Sequence, residues 1–385
     1  MQKVNLPQQA LEIMQRLFEH HYKAYVVGTA VRELLTGGTP LDYDIITDCS
    51  IERLNAIFSA DYRILEQNIA AGEIIVMVRG MAIMVAPFRI CDKDGSLIYS
   101  NNVLDDLLCR DFTVNAICAA SDGDLFDPLE GAKCLLSKPY TLTAVESRLA
   151  DDEKSILSVE RDPSILLTAL ALASEGDYSI DKKTADCIMK SAQSVSTLDK
   201  STLKELFERV LMGRRAREIL LEYRTVFFVV FPELALTDGY NNQYGEHSMP
   251  LYEHICKSIS FSPPILELRY ALLFHGTGKP DCEAQKKDGK LTFYGHAQRA
   301  SVYTERAMKR LDISEDLIRE VCFLVENHDV FDGSENKETL QLKEMFGEKG
   351  LKNLLLLGSA NLRAKNPDFE AKAYELKKLS EQLQR

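Results

Sequence analysis

Residues 25–47 carry two short apolar strands joined by a glycine turn and an arginine-bearing helix, and this pattern constrains the fold more than any other stretch. KAYVVG predicts a buried strand ending at Gly28, TAVRELLTGG predicts a short helix closed by two glycines, and LDYDIIT predicts a second strand. Asp42 and Asp44 lie two residues apart on the second strand, so their carboxylates are expected on one face. Nucleotidyl transfer uses such carboxylates to hold two divalent metals, one of which activates the attacking hydroxyl.

Two further residues of this pattern suit a phosphate ligand. Gly28 lets the backbone approach a phosphate closely, and Arg32, one helical turn later, can neutralise a triphosphate. A bare D-x-D triplet also occurs by chance in surface strands and turns, and alone it favours that interpretation. The succession of strand, glycine turn, arginine helix and strand favours a metal site.

The rest of the chain divides into a mixed part and a helical part. A helix is predicted over residues 7–21, and EIIVMVRG, MAIMVAPFR and FTVNAICAA read as further strands. After about residue 140, helical patterns dominate. We predict an α+β head of mixed sheet and helices (residues 1–138), a helical neck (139–235), a further helical domain (236–340) and a helical tail (341–385).

Composition narrows the class of protein. The 385 residues, 45% hydrophobic and 27% charged, are typical of a globular protein with two or three domains. No run of about 18 apolar residues and no apolar signal-peptide core occur, so we predict neither a membrane segment nor export. The nine cysteines form no C-x-x-C pair, which favours reduced thiols in the cytoplasm over a zinc knuckle or a disulfide framework.

The formal net charge is −12. A protein that grips nucleic acid with its whole surface is usually basic. Any contact with RNA is therefore expected to use a local basic patch.

Three stretches resemble one enzyme family. Residues 25–47 resemble the signature G-G-x-V-R-D-x-L-x-G followed by D-x-D of class II tRNA nucleotidyltransferases (CCA-adding enzymes) and bacterial poly(A) polymerases. LDDLLCRDFTVNAI, residues 104–117, is similar to the family's D-L-x-R-R-D-F-T-x-N-A segment, which contributes to the nucleotide sugar site. LFDPLEGAKCLL resembles the family's D-P-x-x-G loop.

The resemblance implies a head like that of DNA polymerase β, an NTP (ATP or CTP), and a tRNA or other RNA 3′ end as acceptor. It implies Mg²⁺ or Mn²⁺ held by Asp42 and Asp44 as the catalytic residues. The residues that it assigns to nucleotide binding are Gly28, Thr29, Arg32, Asp106, Arg110, Asp111, Asn115 and Asp162.

The departures from the family pattern occur at positions that the family uses in its active site. Thr29 replaces a second glycine and brings a Cβ and a hydroxyl towards the phosphates. Met84 falls where an acid is usual, so a third carboxylate is missing there, and Cys109 replaces the first arginine of R-R-D. Glu33 in place of aspartate is a mild change.

The resemblance implies that the neck (139–235) binds nucleobase or RNA, and the helix of this region that selects the base in the family departs most from the family pattern. Its pattern is E-D-x-x-R-x-L-R-x-x-R-F, in which the aspartate and the first arginine hydrogen-bond the incoming base. Here Arg161 takes the glutamate position and Asp162 is kept, while Ile165, Thr168 and Ala171 replace the three arginines. The resulting aliphatic helix predicts buried core and loss of the normal choice of C and then A.

The helical body resembles the HD domain of many bacterial members. That fold binds a divalent metal through a histidine, an adjacent His-Asp pair and a distant aspartate. The histidines that match are His254, His275, His296 and His328, but Gly276 replaces the aspartate of the pair. The preferred interpretation is a degenerate site, with histidines as satisfied polar residues between packed helices, because phosphohydrolase chemistry needs carboxylates.

The sequence is compatible with three hypotheses. The first is a metal-dependent nucleotidyltransferase acting on an RNA 3′ end. The second is a catalytically impaired paralogue that binds nucleotide or RNA or regulates an active relative. The third, disfavoured by Gly276, is an HD-type phosphohydrolase with a vestigial head.

Overall fold

The structure is a computed structural model, and it describes residues 3–68, 72–91, 97–148, 155–240, 249–287, 291–331 and 339–383. Contacts group the chain into two compact units. The head unit comprises Met1–Leu166 and Asp177–Ile188, and the helical unit comprises Leu167–Gly176 and Met189–Arg385. The division into four parts predicted above remains a prediction.

The first part of the chain alternates helices with short strands, as its mixed apolar periods predict. In chain order the elements are α1 (Gln8–Glu19), β1 (Ala24–Val27), α2 (Thr29–Leu35), β2 (Tyr43–Thr47), α3 (Ile51–Phe58), β3 (Arg63–Asn68), β4 (Glu73–Val78), β5 (Met81–Pro87), β6 (Arg89–Cys91), β7 (Leu97–Tyr99), α4 (Val103–Leu108), β8 (Cys118–Ala119), β9 (Leu125–Phe126), β10 (Tyr140–Leu142), β11 (Glu146–Arg148), β12 (Ser155–Leu157) and α5 (Ser158–Arg161).

A seven-stranded mixed sheet organises the head unit, with strand order β3-β4-β5-β2-β1-β8-β9. Strands β2 and β5 pair in parallel, and the remaining neighbours are antiparallel. A buried cluster that includes Val27, Ile46 and Phe88 packs against one face of this sheet. The α+β class predicted for the head is confirmed.

One predicted strand is mostly wrong. FTVNAICAA begins with a 3-10 turn over Thr113–Asn115, and only Cys118–Ala119 pair in the sheet. The reason is local: the Asn115 amide bonds back to the Asp111 carboxylate, which holds a turn in place of an extended chain.

Helices dominate the remaining chain, as predicted. The elements are α6 (Pro163–Glu175), β13 (Tyr178–Ile180), α7 (Lys182–Lys190), α8 (Lys200–Met212), α9 (Ala216–Glu222), α10 (Arg224–Val230), α11 (Pro232–Ala235), α12 (Leu251–Phe261), α13 (Leu266–Phe274), β14 (Ala284–Gln285), β15 (Leu291–Thr292), α14 (His296–Arg310), α15 (Glu315–Glu326), α16 (Thr339–Lys365, broken at Gly347) and α17 (Glu370–Gln382).

The core of the helical unit is aromatic and aliphatic. Phe207 packs edge-on against Phe227 and Phe231, and Phe231 packs against Phe274, with all four side chains fully buried. Within the described ranges, no helix combines the length and apolar composition that crossing a bilayer requires.

Candidate active site

The two candidate metal ligands lie at the start of β2. Asp44 is half-buried on the strand, and Asp42 is exposed just before it. In the sheet, Asp44 is opposite Val27 of β1 and Met84 of β5. The position that the resemblance assigns to a third acid is therefore directly beside Asp44, and here a thioether occupies it.

The surroundings of Asp44 disfavour its charged form. Burial raises the pKa of Asp44 above its ordinary value, and the neighbouring carboxylates of Asp42 and Glu73 raise it further. The guanidinium groups of Arg110 and Arg89 oppose that shift. Added positive charge at this point, such as a divalent cation, would relieve the repulsion between the acids.

The turn between β1 and α2 requires glycine. Gly28 has a φ of +78°, which an L side chain rarely adopts. A Cβ there would lie 3.5 Å from Arg110 Nη1 and 3.8 Å from Asp44 Oδ2. The backbone at Gly28, the Arg110 guanidinium and the Asp44 carboxylate therefore face one another across the space that a side chain would fill.

Arg110 is held from behind by a fully buried carboxylate. Asp106 Oδ1 accepts bonds from Arg110 Nη2 at 2.8 Å and Nε at 3.1 Å, and Arg89 Nε lies 3.8 Å from Asp106 Oδ2. Because Asp106 has no exposed surface, it acts on a ligand only through these arginines.

A chain of hydrogen bonds connects α2 to the turn after α4. Arg32 Nη1 donates to Asn115 Oδ1 at 2.6 Å, and Asn115 Nδ2 donates to both oxygens of Asp111 at 2.9 and 3.0 Å. The Arg32 guanidinium also stacks on Tyr178, 5.6 Å from the ring centre. Arg32 is 9% exposed, and its guanidinium donates to Asn115 and not to the cavity.

These groups enclose a polar cavity of about 240 Å³. Its lining residues are Gly28, Thr29, Asp44, Arg89, Cys109, Arg110, Asp111 and Asn115. Six of these eight are residues that the sequence predicts for the site. The other predicted residues do not line the cavity: Asp106 and Arg32 lie behind it, Asp42 is exposed, and Asp162 belongs to the helix described next.

The altered helix is α6, and its first turn is built for capping. Asp162 Oδ1 accepts from the Ser164 N–H at 2.8 Å. Leu166, Leu167 and Leu170 are fully buried, whereas Ile165 is half-buried. The predicted aliphatic core helix is observed, and the role of Asp162 in binding a base remains a prediction.

Sequence reasoning missed two arginines. Arg89 lines the cavity and lies beside Asp106; its only signal was its place at the end of MVAPFR. Arg161 donates to the Cys109 carbonyl at 2.7 Å and to Ser147 Oγ at 3.2 Å, so it fixes the backbone just before Arg110. No local pattern reveals that contact, because it joins residues 52 positions apart.

The expectation of reduced thiols is wrong at one position. Cys109 is disulfide-bonded. Seven other cysteines are free, namely Cys49, Cys118, Cys134, Cys187, Cys256, Cys282 and Cys322. A rule that considers only short spacings does not detect such a pair.

The donor set fits Mg²⁺ or Mn²⁺. Asp44 on β2 and Asp42 just before it supply carboxylate oxygens, and the pKa of Asp44 is raised by burial and by the neighbouring carboxylates of Asp42 and Glu73. Mg²⁺ in polymerase-type sites needs one or two protein carboxylates and takes its other ligands from water and substrate phosphates. The methionine at position 84 therefore does not exclude the metal.

The structure brings the four predicted histidines of the helical unit together. Nε2 of His254 lies 3.4 Å from Nε2 of His275, and Nε2 of His296 lies 3.2 Å from Nε2 of His328. His275 and His328 are in ring contact, with centres 5.2 Å apart. Asp329, the residue after His328, lies against His296 and His328.

Comparisons with known proteins agree on the head. Residues 24–139 match the family model described as the poly A polymerase head domain. A CCA-adding enzyme of Geobacillus sp. (strain WCH70) is 28% identical over 237 residues, which cover 59% of this chain and 55% of the relative. A CC-adding tRNA nucleotidyltransferase of Halalkalibacterium halodurans is 28% identical over 228 residues, with the same coverage. The matched stretch spans little over half the length of these curated relatives.

Solved structures share the fold over a longer span. A Bacillus stearothermophilus CCA-adding enzyme in complex with CTP superposes with a TM-score of 0.61 at 23% identity, covering 96% of this chain and 81% of that chain. A Thermotoga maritima CCA-adding enzyme complexed with tRNA gives a TM-score of 0.61 at 15% identity, covering 98% and 86%. These likenesses establish the architecture.

Proposed function

We propose that this chain is a class II nucleotidyltransferase like the CCA-adding enzymes that it resembles, and that it adds nucleotides to an RNA 3′ end in a metal-dependent reaction. The observation that carries the proposal is the cavity in which Asp44, Gly28 and Arg110 converge. Two relatives with this head are named for adding CCA or CC to tRNA, which supports a tRNA lacking some or all of its CCA end as the acceptor.

Different residues of the head unit position the triphosphate, the ribose and the metal. Arg110 and Arg89 present positive charge to a triphosphate, and buried Asp106 fixes the direction of Arg110. Asp111 and Asn115 line the same cavity and are suited to the hydroxyls of a ribose. Asp42 and Asp44 would hold a divalent metal, which when bound would supply positive charge to the attacking hydroxyl and to the phosphates.

The choice of base is the part of the proposal that departs from the relatives. Ile165 presents no hydrogen-bond donor, and Asp162 uses one oxygen to cap α6. A site that cannot bond both edges of a base discriminates weakly between bases. We therefore expect relaxed selection between CTP and ATP.

An incorporation assay tests this proposal. Purified protein with Mg²⁺ or Mn²⁺ is given each labelled NTP in turn, with tRNA lacking its CCA end or an unstructured RNA as acceptor. The inactive variant is Asp42→Asn/Asp44→Asn. The matched control is Asp122→Asn/Asp124→Asn, since these residues form a second D-x-D triplet of the head whose carboxylates pair with Lys3 at the surface.

Label added by the wild type and the control, but not by the inactive variant, supports the proposal. The range of accepted NTPs then reports how α6 selects a base. If folded wild-type protein binds nucleotide or RNA and adds no label, the transferase proposal is wrong and an impaired binding paralogue remains.

A further inference from the structure

The short helix α5 contacts the turn that carries Arg110 and Asp111. Ser158 and Arg161 lie three residues apart on α5, so their side chains share one face of the helix. The Ser158 hydroxyl donates to the Asp111 carbonyl at 2.5 Å, and Arg161 Nη2 donates to the Cys109 carbonyl at 2.7 Å. These two side chains therefore hold the backbone on both sides of Arg110.

Ser158 also connects this turn to the residue that precedes α6. Its carbonyl accepts from the Asp162 N–H at 3.0 Å, and its own N–H donates to the Val145 carbonyl at 2.8 Å. Ser158 has no exposed surface, so water does not compete for these bonds. A single buried residue thus fixes the spacing between Asp111, which lines the cavity, and Asp162, which the resemblance assigns to the base.

Arg161 joins the same turn to strand β11. Its Nη1 donates to Ser147 Oγ at 3.2 Å, while its Nη2 also lies 3.5 Å from the Arg110 carbonyl. A guanidinium keeps its charge in a folded protein, so its bond to the Cys109 carbonyl is charge-assisted. The turn is therefore fastened by one neutral and one charged side chain of α5.

The carboxylate of Asp111 follows the position of its backbone. It accepts from the Phe112 N–H at 2.7 Å and from the Asn115 amide at 2.9 and 3.0 Å. Because these partners belong to the same turn, a shift of the turn carries the carboxylate with it. A misplacement of about 1 Å in such a site can lower a reaction rate about 100-fold.

We propose that Ser158 and Arg161 are positioning residues that make the site select a ribose over a deoxyribose. Neither residue lines the cavity, and both act through the backbone of the turn that presents Asp111 to the sugar hydroxyls. The inference rests on the proposed transferase function and assigns to α5 the control of sugar choice.

A comparison of CTP with 2′-deoxy-CTP tests the inference. With Mg²⁺ and a tRNA lacking its CCA end, kcat/KM is measured for each nucleotide, and their ratio is the readout. A hydroxyl bonded to the Asp111 carboxylate corresponds to a preference of about 10- to 100-fold for CTP in the wild type. A loss of folded protein lowers both rates in the same proportion, so it leaves the ratio unchanged.

Three variants change the bonds to the turn. Ser158→Ala removes one hydroxyl, keeps the backbone bonds to Val145 and Asp162, and should lower the ratio about three- to tenfold. Arg161→Gln removes the charged donor and should lower the ratio about tenfold. Arg161→Lys keeps the charge without the planar fork, and we expect an intermediate ratio.

Two control variants make the same changes away from this turn. Ser155→Ala lies three residues earlier, on β12, where the exposed hydroxyl donates to Glu146 Oε1 at 2.7 Å. Arg53→Gln changes an exposed arginine of α3. Both should keep the wild-type ratio within about twofold, as expected for surface substitutions. Circular dichroism checks that every variant is folded.

The outcomes separate this inference from the proposed function. If Ser158→Ala and Arg161→Gln slow CTP and 2′-deoxy-CTP equally, these residues only stabilise the fold and the inference is wrong. It is also wrong if the wild type does not prefer CTP.

If the wild type adds neither nucleotide, the proposed function fails, and dissociation constants for CTP and 2′-deoxy-CTP with Mg²⁺ decide the inference. A preference for CTP that falls in Ser158→Ala supports it. An unchanged preference, or no binding of either nucleotide, overturns it.

Discussion

Asp106→Asn is expected to loosen the turn that positions Arg110. The substitution keeps the size of the side chain but removes the charge that accepts two bonds from Arg110. Asp106 has no exposed surface, and the Arg110 side chain is 13% exposed, so water does not replace the lost partner. Breaking a buried ion pair from one side costs about 3–5 kcal/mol.

Native-state hydrogen exchange measures this cost where it arises. Because the chain has two units, a single unfolding midpoint does not isolate the turn. A local loss of about 3 kcal/mol lowers amide protection by about 100-fold, since each factor of ten corresponds to about 1.4 kcal/mol. We expect that decrease in peptides covering residues 103–119.

The matched control is Asp105→Asn, the same change one residue earlier on α4. Asp105 is only half-buried and accepts a bond from the Ser100 hydroxyl. We expect its effect on the same peptides to be less than about fivefold, corresponding to about 1 kcal/mol. Equal effects of the two variants, or unchanged protection in Asp106→Asn, would refute the inference that a buried carboxylate anchors Arg110.

Three further variants test other parts of the head. Burial raises the pKa of Asp44, so the stability that this group contributes is complete below its ordinary pKa of 3.8 and is lost as pH rises through the folded-state pKa. Asp44→Asn should therefore raise the melting temperature at pH 7, and the gain should shrink towards pH 4. A lower melting temperature of the variant at pH 7 would contradict this. Gly131→Ala should cost about 1–3 kcal/mol, measured as lost amide protection around residue 131, because its Cβ would lie 2.0 Å from the Thr113 carbonyl. Gly38→Ala, with a nearest contact of 3.4 Å, should cost less around residue 38. Arg161→Gln should lower nucleotide incorporation about tenfold through the loss of a charge-assisted bond to the backbone before Arg110, and unchanged steady-state rates would contradict that role.

The sequence predicts most residues that line the cavity, because the patterns that identify them are local. A buried strand, a positive-φ glycine and a D-x-D strand each need only a few neighbouring residues to be recognised. The structure places Gly28 and Asp44 on these elements and brings Arg110 to them. The mixed head and helical remainder follow from apolar periods in the same way.

The hydrogen bonds that support the cavity from behind join residues far apart in the sequence, so sequence patterns do not predict them. Arg161 reaches a carbonyl 52 residues away, and the Asn115 side chain converts a predicted strand into a turn by bonding to Asp111 and Arg32. Strand propensity at residues 112–120 is real, but hydrogen bonds of one buried amide outweigh it.

The histidines of the helical unit illustrate the same limit. Their spacing along the chain resembles an HD pattern with one ligand missing. Only the fold shows that Nε2 of His296 and His328 meet at Asp329, whereas position 276 faces aliphatic side chains. The loss of one motif residue therefore does not decide whether the cluster binds a metal.

We propose above all that Asp42 and Asp44 direct nucleotidyl transfer. The most direct measurement is the mass of the 3′-terminal fragment of a tRNA lacking its CCA end, after incubation with the protein, Mg²⁺ and all four NTPs. We expect fragments extended by whole nucleotides with the wild type and with Asp122→Asn/Asp124→Asn, and an unextended fragment with Asp42→Asn/Asp44→Asn. An unextended fragment with folded wild-type protein, or extension by the Asp42→Asn/Asp44→Asn variant, would contradict it.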